Sequence, residues 1–198
     1  ALGFETTLGL DLGSEEFELA VLELAREAEG AEAAVIAYFG HGQRFGGANY
    51  LLPTDFATDV TPAVETDAVA LRDAIRATAP AEIGVVMIDA ARATGLDMAG
   101  AEPGLAGPRS LPPGVVAGFS AQPGSVVADA EQGRSPYAAA LVEVMGEEGL
   151  PLAGLMERVR RAVVEATGGE QRPAVFGPVE QADFSFNPPS LAFRPLED

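Results

Sequence analysis

The chain of 198 residues has no cysteine, no tryptophan, no lysine and a single histidine. Without cysteine there is no disulfide and no thiolate metal site, although the compartment stays open, because cytosolic and secreted chains alike can lack it. No signal peptide is visible, and a cytoplasmic location is favoured. Without lysine there is no Walker lysine, and neither GHGQRFGG (40–47) nor GAEPGLAG (100–107) carries the dinucleotide fingerprint between strand and helix, which sets nucleotide binding aside. Positive charge is scarce: 12 basic residues, all arginine, face 30 acidic ones, for a net charge of −18. Such a surface repels phosphate backbones, so nucleic acid is not an expected partner and cationic peptides are. Apolar runs break at a charge or a glycine well before the roughly 18 residues of a membrane helix, and no membrane partner is expected.

At 47% hydrophobic residues the chain can bury a core, and one domain is expected. Residues 4–10 read as an extended segment. Ser14 offers a side-chain oxygen to cap a helix reaching about Glu29, with Phe17, Val21 and Leu24 on its inner stripe. The nearly all-apolar residues 33–39 and 83–88, and VVAGFSA (115–121), read as strands covered on both faces. RFGGANYLL (44–52) reads as a small hairpin, 65–78 as a helix stopped by Pro80, and 93–114 as a long Gly- and Pro-rich loop. Ser135 and Pro136 announce a helix, as cap and first residue. A last helix begins near Leu152 and ends at Gly168, and DFSF (183–186) suggests one more edge strand. The alternation argues for an α/β domain over residues 1–187 with a largely parallel sheet, followed by an extended tail, 188–198.

The only histidine, His41, sits between Gly40 and Gly42 just past the end of an apolar strand, and Ala91 falls just past the end of another. In open parallel sheets ligands collect beyond such ends. Flanking glycines let backbone approach a substrate, and the Gly42 N–H can stabilise an oxyanion.

YFGHGQRFGGANYLLPTD (38–55) resembles the histidine segment of caspase-like cysteine peptidases, above all the bacterial and metacaspase branch. VVMIDAAR (85–92) resembles their nucleophile segment, usually Asp-Ala-Cys-Arg or Asp-Ser-Cys, and the 50 residues from His41 to Ala91 match the family's spacing. GFSAQPGSVVAD resembles the family's substrate-binding strand and loop, and GRSPYAAALVEVM its small-subunit helix. The resemblance implies a three-layer fold with helices on both faces of the sheet. It also implies a Cys–His dyad in which His41 manages protons, Gly42 lends an oxyanion N–H and the nucleophile stands at residue 91. Here that residue is Ala, so the chain as written is expected not to cleave peptides.

Two readings follow: a peptidase, cutting after Arg or Lys, whose Cys is replaced, or a natural pseudoenzyme serving as a peptide-binding or regulatory module. In the resemblance Asp89, with Asp129 nearby, lines a pocket for a basic side chain, and Ser120 lends backbone contacts to an extended peptide. Some metacaspases need calcium. Asp55, Asp59, Glu65 and Asp67 are hard oxygen donors, but their spacing is not that of a helix-loop-helix calcium loop, and a solvated face is the expectation. Relatives also carry a first strand and helix before ALGFETTLGLDL. The resemblance therefore implies that this chain is part of a longer one, or that another chain supplies the strand.

Overall fold

The computed structural model describes residues 2–57, 64–90, 100–127 and 133–189. Helix α1 (Ser14–Glu27) leads into strand β1 (Ala33–Phe39), and a hairpin follows, β2 (His41–Phe45) and β3 (Ala48–Leu52). Gly46 and Gly47 make its two-residue turn, with φ of +57° and +79°, a geometry that matches strand twist and that side chains resist. Then come α2 (Val64–Asp67), β4 (Val69–Ala70), α3 (Leu71–Ala77) and β5 (Ile83–Asp89). β6 (Ala101–Glu102), β7 (Val115–Phe119), α4 (Pro136–Val144), α5 (Leu152–Ala166) and β8 (Ala174–Phe176) complete the elements, before a short 3-10 turn at Val179–Gln181.

The main sheet runs β1-β5-β7-β8, parallel except for β8. Its central strands are apolar on both faces because both faces are covered. Val86, Ile88, Ala117 and Phe119 pack under α1 and α3, while Val85, Met87 and Val116 pack against α4 and α5. Each large side chain so buried contributes about 1.5–3 kcal/mol. A second sheet, β4-β3-β2-β6, stands over the carboxyl end of β1 and carries His41 at its margin. The mixed α/β architecture with a mostly parallel sheet between helices is the one the sequence predicted.

Three local expectations need correction. The 65–78 helix is broken, because Val69 and Ala70 pair with Leu51 and Tyr50 and pull the backbone into a strand between α2 and α3. The N-cap of α1 is Gly13, not Ser14: the Ser14 N–H donates to Asp55 Oδ1 at 2.9 Å, so a distant carboxylate takes the cap's role. DFSF is not a strand. Phe184 and Phe186 instead meet each other edge-on, with centroids 4.9 Å apart, and pack on Phe4. Ser135 does cap α4, its Oγ accepting from the Ala138 N–H at 3.0 Å, with Pro136 as first helical residue.

Candidate functional site

The carboxyl ends of β1 and β5 lie side by side. Phe39 pairs in register with Asp89, and the Gly40 N–H donates to the Asp89 carbonyl at 3.1 Å. The chain then turns from β1 straight into β2, so His41 starts the hairpin exposed while Gly42 is buried. A Cβ placed on Gly42 would lie 3.0 Å from both the Ala90 Cβ and the Ala90 carbonyl oxygen, so only glycine lets β2 lie this close to the end of β5. The Tyr38 hydroxyl holds this corner. It donates to the His41 carbonyl at 2.8 Å and lies 3.0 Å from the carbonyl of Leu52, the hairpin partner of His41, while its ring stacks on Phe17.

Asp89 is 1% exposed, on the face covered by α4. One of its carboxylate oxygens accepts a short hydrogen bond from the Ser135 hydroxyl. Ser135 Oγ is thus doubly used, donating to Asp89 and accepting from the first turn of α4. That combination places an anion at the positive end of the helix. Tyr137, the second residue of α4, is also 1% exposed, and burial first, then the Asp89 charge, push its phenol pKa well above the ordinary value. It stays neutral at any physiological pH.

Ser120 is one step past the last β5–β7 pair, Ile88 and Phe119, and therefore stands beside Asp89. Its N–H donates to the Ile88 carbonyl at 2.8 Å, and its carbonyl accepts from Gln171 Nε2 at 2.8 Å. The expected backbone contact to a peptide therefore has only the carbonyl's second lone pair to use, whereas the Ser120 hydroxyl is buried with no hydrogen-bond partner among the described residues.

Ala91 and Asp129 lie outside the described residues, as does Asp59 of the acidic run. Of the other proposed calcium donors, Asp55 is committed to α1 and Asp67 accepts from the Thr66 hydroxyl at 2.9 Å. Among the described residues no group of three or more His, Asp or Glu could hold a metal ion, and no helix is long and apolar enough to cross a membrane.

In the sequence Ser135 reads only as a cap and Tyr137 only as an inward-facing residue of its helix, and nothing there singles out Phe39 or Gln171. Ser135 lies 46 residues from Asp89, and nothing local signals their contact. Asn49 was missed too: its amide closes a two-way bond with the backbone of Ala106, at 2.7 and 2.8 Å, fastening the hairpin to the loop before β7.

No curated protein matches the chain. The caspase-domain family model matches residues 1–181, a span that holds both strand tips, the hairpin carrying His41 and the helices that enclose Asp89, and the chain accordingly belongs to the caspase-domain peptidase family.

Proposed function

We propose that the domain recognises an extended peptide through one basic side chain and presents the bond after it to His41 and residue 91, in the manner of a Cys–His endopeptidase. The observation that supports this most is the juxtaposition of the β1 and β5 tips, with Gly42 against Ala90 and Asp89 on the adjoining face. With Cys at residue 91, its thiolate attacks the scissile carbonyl carbon and a C–S bond forms. The C–N bond then breaks as the imidazolium of His41 protonates the leaving amine, and water activated by the same imidazole releases the acid and the thiol. The Gly42 N–H carries the oxyanion in both steps. Alanine has neither lone pair nor proton to contribute, so the chain as written binds without turnover.

Asp89 sets the preference for a basic residue, and Asp129 adds negative charge to the same pocket. The test is binding to the chain as it is: two fluorescent hexapeptides, alike except for Arg or Asp at one position, are titrated by anisotropy. At least about tenfold tighter binding of the Arg peptide is expected. Equal binding, or a preference for Asp, overturns the assignment.

The partner supplying a strand belongs to the same proposal. β1 pairs only with β5 among the described residues, while residues 4–10 pass without entering the sheet, and Leu8 and Leu10 are 77% and 72% exposed. An apolar, uncharged strand with one open edge is a site for β-addition, and we place there a strand supplied in cis or in trans. Every second amide of β1 is expected to exchange with solvent rapidly in this chain and to become protected once that strand is present. Uniform protection of β1 in the isolated chain would remove the need for it.

A further inference from the structure

Resting on the basic-residue pocket just proposed, we propose that the site reads its ligand as a planar guanidinium and that Phe39 is the selecting residue, so that arginine is taken over lysine. Phe39, Asp89 and Ser120 form a row across three neighbouring parallel strands. Phe39 is register-paired with Asp89, and Ser120 is one step beyond the Ile88–Phe119 pair. All three face α4 and α5. Alternation from Val35, from Val85 and Met87, and from Val116 puts them there, because those residues belong to the α4–α5 core. Strands in a sheet are about 4.8 Å apart, so ring, carboxylate and hydroxyl are immediate neighbours.

Phe39 is 50% exposed although its strand is wholly apolar. A phenyl ring has no hydrogen bond to give a peptide, but its face attracts cations, and it suits a flat, weakly hydrated guanidinium better than a compact, strongly hydrated ammonium. The acceptors favour the same choice. Ser135 fixes one Asp89 oxygen and with it the plane of the carboxylate, the requirement for two parallel N–H···O bonds from a guanidinium. On the same face two more oxygens, Ser120 Oγ and Tyr137 Oη, are buried without a hydrogen-bond partner among the described residues. A Cβ on Gly118 would lie 2.9 Å from Tyr137 Oη, which puts that hydroxyl directly against β7 two residues before Ser120. Five N–H donors can use this set more fully than the three of an ammonium. Phe39 is then the specificity residue, and Ser135, acting through Asp89, is a positioning residue.

The experiment uses the chain with Ala91 in place and three labelled hexapeptides differing only in Arg, Lys or citrulline, read by anisotropy, with circular dichroism to establish folding. Arginine is expected to bind about tenfold tighter than lysine, and lysine tighter than neutral citrulline. Phe39→Leu keeps bulk and loses the ring. It should reduce the Arg-to-Lys ratio by about three- to tenfold while leaving the Lys affinity within about twofold. Phe39→Tyr should restore the ratio. Ser135→Gly keeps an acceptable helix cap, and it should weaken Arg more than Lys, because only the guanidinium needs the carboxylate plane held. Equal Arg and Lys affinities, or a Phe39→Leu variant that weakens both equally, overturn the role of Phe39 while leaving the basic pocket standing. A citrulline peptide that binds as well as both cations overturns the pocket itself and this proposal with it.

Discussion

Replacing Ala91 with Cys is expected to raise the hydrolysis of a fluorogenic Arg peptide by on the order of 10³-fold or more over the chain as written. The size of the effect follows from what is already in place. The Gly40–Asp89 backbone bond and the close approach of Gly42 to Ala90 set the His41 corner beside the chain leading into residue 91. Tyr38 pins the His41 carbonyl from the other side. On the proposed mechanism a thiol at residue 91 supplies the reacting atom that alanine lacks. His41→Ala combined with Ala91→Cys should return the rate to that of the unsubstituted chain, because the thiol then has no base and the amine no acid. Turnover that survives the loss of His41 would dismiss the dyad. A folded Ala91→Cys protein that binds Arg peptides without cutting them would instead favour a peptide-binding module.

The second large effect is expected at Asp89. Asp89→Asn preserves shape, and the amide oxygen can still accept the hydrogen bond from Ser135, so the variant should fold with a similar melting temperature. Its affinity for Arg peptides should nevertheless fall by at least about thirtyfold, since one partner of a desolvated, hydrogen-bonded charge pair has lost its charge. The citrulline peptide should be affected by no more than about twofold, because it never used the charge. An equal loss for both peptides would mean that Asp89 supports the strand end and not the ligand. Measuring the two peptides together separates these outcomes, and the melting temperature accounts for any general damage.

How far the sequence disclosed this protein depended on whether the controlling interaction was local. β1, β5 and β7 were legible because a strand packed within a sheet under helices reads as a nearly continuous apolar run, as AAVIAYF, VVAGF and IGVVMI before Asp89 do. Gly46–Gly47 named its turn, and Ser135–Pro136 named its helix start, because cap and turn chemistry are written in adjacent residues. The 65–78 segment was misread because its helical spacing was overruled by pairing with β3, a contact made from outside the segment. The alternation in DFSF satisfied the pattern of a strand, yet its two rings are held by each other and by Phe4, 180 or more residues away in sequence.

By itself the sequence determined the apolar strands of the sheet, a Gly-His-Gly at a strand tip, an acidic residue at the end of a second strand, and an alanine two places after it. These are matters of residue type and short spacing, which survive without knowledge of the fold. Only the tertiary structure decided what surrounds the carboxylate. Parallel register set Phe39 and Ser120 beside Asp89, and the docking of α4 brought the Ser135 hydroxyl onto it and Tyr137 beneath the sheet. Register is fixed by the packing of whole faces and helix docking by a core shared among many residues, so neither is encoded at the positions it brings together.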